Sequence, residues 1–118
     1  MIGNLDLIMS DSVTVLEAQQ RTSRAGNTTP DWSVDPVEVG VYRAAVQGRS
    51  GTATVDDGRQ GVEAKFRVYL DHDVPVSRVN RMAWGDRTLE VVGTPRIVQD
   101  HLRGTPHHLE VDAREALG

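Results

Sequence analysis

Hydrophobic and polar positions alternate along several short stretches of the chain, and residues 63–70 show this pattern most strictly. The residues of this stretch that are predicted to point inward are Ala64, Phe66, Val68 and Leu70. A period of two residues is typical of a strand with one buried face. Weaker alternation predicts further strands at residues 13–21, 95–100 and 108–113.

Residues 37–46 predict another strand, but its alternation changes phase partway along. Three valines at the start of this stretch have one parity, whereas Tyr42 and the apolar residues that follow it have the other. Because the change falls beside Gly40, we expect a β-bulge or a barrel corner at this glycine.

The strongest local signal is a β-hairpin at residues 81–92, whose turn lies at Gly85 and Asp86. The turn fixes which residues face each other across the two strands. This register predicts an ion pair between Arg81 and Glu90 on the outer face. It also gives a structural role to six hairpin residues, namely Met82, Trp84, Gly85, Asp86, Arg87 and Leu89.

Two long polar segments, residues 22–36 and 48–61, are predicted to be loops between the strands. A single helical turn is expected at residues 76–80, and residues 2–9 predict a short strand or helix. Together these elements predict a mostly β fold, a small antiparallel β-barrel of about six short strands with two long loops. We expect one domain over residues 1–118, in which the first 36 residues supply a strand and a long loop and residues 37–118 form the barrel core.

The composition of the chain excludes several kinds of site and chemistry. The chain has 118 residues, a net charge of −4 and no cysteine, which excludes disulfides, thiol catalysis and cysteine-ligated metal sites. The 13 basic residues are scattered and include one lysine, Lys65. Such an arginine bias suits planar ion pairs at subunit interfaces, although a GC-rich genome produces the same bias. The first residues lack a basic segment and a long apolar run, so we expect assembly in the cytoplasm and no membrane contact.

Candidate chemistry is sparse, and we expect no catalytic residue, no cofactor and no metal. The Gly-Arg-Ser-Gly sequence at residues 48–51 is not a nucleophile elbow, and no phosphate-binding loop is present. Side chains alternate sides along a strand, so His107 and His108 are not expected to face one metal ion. Trp32 and Trp84 leave open an alternative, a small barrel whose aromatic residues stack on the bases of an oligonucleotide.

From residue 37 onward, the order of features is similar to one known family. A valine-rich strand, a glycine-rich loop and an alternating strand are followed by the hairpin with Leu89-Glu90-Val91-Val92-Gly93. The chain then closes with His107-His108-Leu109-Glu110-Val111. In about two-thirds of its length the chain therefore resembles the head-to-tail stopper, or head-closure, proteins of long-tailed bacteriophages.

The resemblance implies a structural virion protein in the phage neck, where it closes the DNA channel after packaging and provides a docking surface for the tail. Its implied partners are further copies of itself in a ring of six or twelve, the portal and adaptor complex above, and the tail terminator or tail tube below. Double-stranded DNA would lie in the channel without sequence-specific contact. A tail-terminator or adaptor layer of the same neck remains an alternative, although an adaptor is expected to contain more helix.

The resemblance also implies a channel-gating role for the loop between the second and third barrel strands. Glycines lower the cost of a conformational change, and aspartates in this loop would repel DNA phosphates. The residues assigned to the loop are Gly48, Arg49, Ser50, Gly51, Thr52, Ala53, Thr54, Val55, Asp56, Asp57, Gly58, Arg59, Gln60 and Gly61.

Overall fold

The computed structural model describes residues 9–48 and 66–116, and these residues form eight β-strands and no helix. The strands are β1 Asp11–Glu17, β2 Gln19–Thr22, β3 Thr28–Asp31, β4 Val37–Gly48, β5 Phe66–Leu70, β6 Arg81–Trp84, β7 Arg87–Asp100 and β8 Thr105–Glu115. Six of them close into a barrel in the order β1-β4-β5-β8-β7-β6, and every neighbouring pair is antiparallel. The predicted fold, a small antiparallel β-barrel of about six strands, is therefore confirmed.

Small and medium apolar side chains fill the interior of the barrel. The buried cluster consists of Val13, Val15, Ala44, Val68, Leu70, Val74, Met82, Leu89, Val91, Leu109, Val111 and Ala113. Most of these residues occupy alternate positions on their strands, as the period-two pattern requires. A narrow barrel packed in this way has no open lumen.

The predicted hairpin is present with its predicted register. Met82 lies opposite Leu89, and Trp84 lies opposite Arg87. Gly85 has a φ of +60°, while none of the described residues other than glycine has a positive φ. Positive φ at the first central residue alone is typical of a type II′ turn, which matches the right-handed twist of the two strands.

The predicted ion pair on this hairpin is replaced by two other contacts. Arg81 and Glu90 do lie opposite each other. However, the Arg81 guanidinium lies 4.4 Å from the ring centroid of Trp32, in cation–π geometry. The Glu90 carboxylate instead forms an ion pair with Arg114, on the neighbouring strand β8. The cross-strand position was predicted correctly, but the choice of partner depended on strands farther along the chain.

The predicted loop at residues 22–36 is wrong in part, because β2 and β3 form a two-stranded sheet there. Its turn is closed by hydrogen bonds that the Ser23 and Gly26 amides donate to the carbonyls of Asn27 and Ser23, at 2.8 and 3.0 Å. All positions of this sheet but one are exposed, so no hydrophobic alternation marks it in the sequence. The predicted strand at residues 13–21 is accordingly split, at the buried Ala18, into β1 and β2.

Two glycines mark irregularities in the ladders. The pairing of β1 with β4 shifts where Val15 faces Gly40 and Leu16 faces Glu38, which confirms the predicted bulge beside Gly40. The predicted strand at residues 95–100 is not separate, because β7 is continuous through a bulge at Gly93, whose φ is +75°. A glycine in this region of φ lets the strand bend without ending.

The remaining sequence-based predictions fall partly outside the described residues. A single turn does lie at residues 76–80, where the Asn80 amide donates to the Ser77 carbonyl at 3.0 Å, although it does not extend into a helix. The short N-terminal element predicted at residues 2–9 lies, apart from Met9, outside the described part of the chain. The described residues include no helix with the length and apolar character needed to cross a membrane.

Candidate functional surfaces

The first half of β4 has an open edge. β1 pairs with β4 from Val37 to Ala44, whereas β5 pairs with it only from Ala44 to Gly48. Within the described part of the chain, residues 37–43 therefore have a partner strand on one side alone; we call these residues the β4 edge. No described strand pairs with the side of residues 37–42 that faces away from β1, so this side is a candidate for pairing with a strand of another molecule.

Three of the seven residues of the β4 edge are exposed valines. Val37, Val39 and Val41 are 51%, 37% and 65% exposed, and Val34 just before the strand is exposed as well. Natural edge strands are protected from unwanted pairing by charged side chains, above all lysine, by proline or by bulges; the β4 edge has neither lysine nor proline, but it carries the exposed Glu38 and Arg43 and the bulge beside Gly40. Exposed single valines are ordinary, whereas several together along an open edge are typical of an interaction surface.

A charged cluster covers the outer face of β5, β7 and β8. Its members are Arg67, Arg96, His108, Glu110 and Asp112. The Arg67 Nε atom lies 3.1 Å from Asp112 Oδ1, an Arg96 NH2 group lies 3.2 Å from Glu110 Oε1, and His108 Nε2 lies 3.0 Å from Glu110 Oε2. The acids and bases neutralise one another, so the cluster ties three strands together and provides no basic groove for nucleic acid.

Charge pairing shifts the pKa values of Glu110 and Arg67 in this cluster. Burial alone would raise the pKa of Glu110, but hydrogen bonds from His108 and Arg96 and the charge of Arg67 outweigh it and hold the pKa below its usual value. Burial would likewise lower the pKa of Arg67, but Asp112 and the other hydrogen-bonding partners keep it above the usual value. Both groups therefore remain charged at neutral pH, and neither is suited to proton transfer.

The two adjacent histidines lie close together, contrary to the expectation from strict alternation. His107 Nδ1 is 2.8 Å from His108 Nδ1, and the ring planes are 84° apart. The reason is a β-bulge: Val98 pairs with His108 and Gln99 pairs with Pro106, so His107 is the additional residue on β8. Residues on either side of a bulge no longer alternate, which brings both rings to one side of the strand. We call these two residues the histidine pair.

The rings of both tryptophans are in contact with other side chains of the same chain. Trp32 is covered by Arg81, and Trp84 packs edge-on against Phe66 with the ring centroids 5.6 Å apart. Arg87 lies 5.8 Å from the Trp84 ring centroid. The sequence left open a role for Trp32 and Trp84 in base stacking, but these contacts cover part of the ring surface that a base would need.

A shallow groove lies beside Trp32 and is lined by Leu16, Pro36, Arg81, Arg87 and Glu115 among others. Its charges have both signs, and the Arg87 Nε atom already lies 3.4 Å from Glu115 Oε1. The described residues contain no group of three or more His, Cys, Asp or Glu side chains placed to hold a metal ion. The groove therefore does not define an acid–base or metal centre.

Of the residues assigned to the channel-gating loop, Gly48 ends β4 and the other thirteen lie outside the described residues. The gating role of residues 48–61 stays a prediction. The hairpin residues, by contrast, are all described and occupy their predicted positions in β6, in β7 and in the turn between them.

The fold of this chain is similar to that of a protein of solved structure. No protein-family model matches the chain, and no curated protein matches it. Among solved structures, the chain is similar to the solution structure of protein SF1141 from Shigella flexneri 2a, with a TM-score of 0.62 and 18% sequence identity. The match covers 92% of this chain and 93% of the Shigella protein. At this identity the likeness shows that the two proteins share a fold over nearly their whole length.

Proposed function

We propose that this protein is a structural subunit of a bacteriophage neck, a head-to-tail stopper that assembles as a ring of six or twelve copies. In this role it closes the DNA channel after packaging and presents a docking surface to the tail. The proposal rests on the sequence resemblance described above, and four features of the fold support it.

The observation that carries the proposal is the β4 edge. An open strand edge with exposed valines requires a partner if it is not to cause uncontrolled association. A ring satisfies this requirement for every copy, because each subunit contacts a neighbour and the ring closes. The proposal therefore assigns the β4 edge to the contact between adjacent copies.

The packed barrel interior and the exposed β2–β3 sheet support the same conclusion. A channel for DNA has to lie between subunits if each barrel is filled with side chains, as a ring provides. A two-stranded sheet with almost no buried face is marginally stable alone, so a neighbouring subunit is expected to cover it. The arginines of the charged cluster pair with carboxylates of the same chain, in keeping with DNA that is enclosed without tight binding.

The test is genetic. An amber mutation in the gene for this chain, made in the phage or prophage genome that encodes it, is expected to yield heads and separate tails in the lysate. Expression of the wild-type chain in trans should restore complete particles. If the mutant lysate contains complete, infectious virions, the chain has no required function in the neck and the proposal is wrong.

A further inference from the structure

We propose that the histidine pair chelates one divalent transition-metal ion of the copper(II) or nickel(II) type through the two Nδ1 atoms. The inference is independent of the proposed function, because it uses only residues of one chain. It also replaces the sequence-based expectation that adjacent histidines on a strand cannot share a metal ion.

The bulge in β8 creates the chelating geometry. On a regular strand, consecutive side chains point to opposite faces and only residues two apart can act together. The additional residue at His107 puts its ring on the same side as His108. The two imidazoles thus lie on one side of β8, with their Nδ1 atoms 2.8 Å apart.

The spacing of the two nitrogens selects the kind of ion. If a metal lies about 2.05 Å from each nitrogen, the 2.8 Å separation of the nitrogens gives an N–metal–N angle of about 86°. This angle matches neighbouring positions of a square-planar or tetragonal complex, and it is well below the tetrahedral angle of structural zinc sites. Imidazole ligands with this geometry are typical of copper(II) and nickel(II).

Glu110 prepares His108 to act as a ligand. Its carboxylate oxygen Oε2 lies 3.0 Å from His108 Nε2 and accepts a hydrogen bond from the N–H at that nitrogen. The proton is thereby held on Nε2, and the lone pair of Nδ1 faces His107. A carboxylate that fixes the tautomer of a ligating histidine is the usual support for a metal site. Arg96 in turn holds Glu110, with its NH2 group 3.2 Å from Oε1.

His107 completes the pair by moving one proton. In the absence of a metal, the 2.8 Å contact needs one hydrogen between the two Nδ1 atoms; because the Nδ1 atom of His108 is the acceptor, His107 donates this hydrogen. On metal binding this hydrogen is displaced, and His107 carries its proton on Nε2 instead. The His107 side chain is exposed, so water can complete the coordination of the ion.

The test uses the full chain titrated separately with copper(II) and nickel(II) salts at neutral pH in a non-chelating buffer. Calorimetry gives the affinity and stoichiometry, and line broadening of amide signals by paramagnetic copper(II) locates the ion. We expect one ion per chain, with broadening centred on β8. His107→Ala and His108→Ala should each lower the affinity at least about tenfold, and Glu110→Gln, which leaves both ligands, about tenfold.

His101→Ala is the matched control, because His101 is an exposed histidine in the turn before β8 and has no histidine beside it. This variant should bind with wild-type affinity, and the amide spectra of all variants should confirm that the barrel remains folded. The inference is overturned if neither ion shows saturable one-to-one binding, or if the His107→Ala and His108→Ala variants bind as tightly as the His101→Ala variant.

Discussion

Substitution of Val41 by aspartate should weaken the assembly of subunits but leave the stability of a single subunit almost unchanged. Val41 lies on the β4 edge and is 65% exposed. Full burial of a valine contributes about 1.5–3 kcal/mol, so covering the exposed part at a subunit contact should contribute about 1–2 kcal/mol. Loss of this amount weakens each contact about 5-fold to 30-fold, and burial of the introduced carboxylate weakens it further.

The free energy of unfolding of one subunit should change by less than about 1 kcal/mol, because the side chain is exposed and strand propensities span about this range. Sedimentation velocity over a series of concentrations measures assembly, and urea denaturation measures subunit stability. Val79→Asp is the matched control, since Val79 is also 65% exposed but lies outside β4. If Val41→Asp assembles as the wild type does, or if both variants are impaired equally, the β4 edge is not the contact between copies.

Three further predictions concern the subunit itself. Leu89→Ala removes a fully buried side chain and should lower the free energy of unfolding by about 2–5 kcal/mol in urea; a loss below about 1 kcal/mol would contradict the packed interior. Gly85→Ala should cost about 1–2 kcal/mol because φ is +60°, whereas Gly48→Ala, without positive φ, should not. The pKa of Glu110 is lowered on folding, so its contribution to the free energy of unfolding is present above pH 4.5 and is lost as the pH falls through the folded-state pKa. The Glu110→Gln variant should therefore lose less stability than the wild type in an acid titration followed by circular dichroism. An unchanged profile would exclude Glu110 as a source of the acid-dependent stability.

Local chemistry made the hairpin at residues 81–92 predictable, because a two-residue turn fixes the register of the strands that flank it. The inward positions of Phe66, Val68 and Leu70 were predictable for a similar reason, since one buried face imposes alternation. Gly40 was recognised because the change of phase in the pattern lies beside it. Each of these features is determined by residues that are close together in the sequence.

The features that were missed depend on contacts across the barrel or carry no hydrophobic signal. β2 and β3 are exposed on both faces, so their residues show no period. The sequence Gly93-Thr94-Pro95 reads as a strand end, but pairing with β8 continues on both sides of it. The histidine pair was missed because a bulge cannot be recognised from β8 alone; it becomes visible only in the pairing with β7. The open edge of β4 likewise follows from where β5 stops pairing.

A reconstruction of the purified full chain by electron cryo-microscopy tests the central claim most directly, because it gives the copy number and the contact surface together. We expect a closed ring of six or twelve subunits around a central opening, with residues 37–43 of every copy against its neighbour. Particles that contain a single barrel at all concentrations, or a ring in which the first half of β4 faces solvent, would contradict the account.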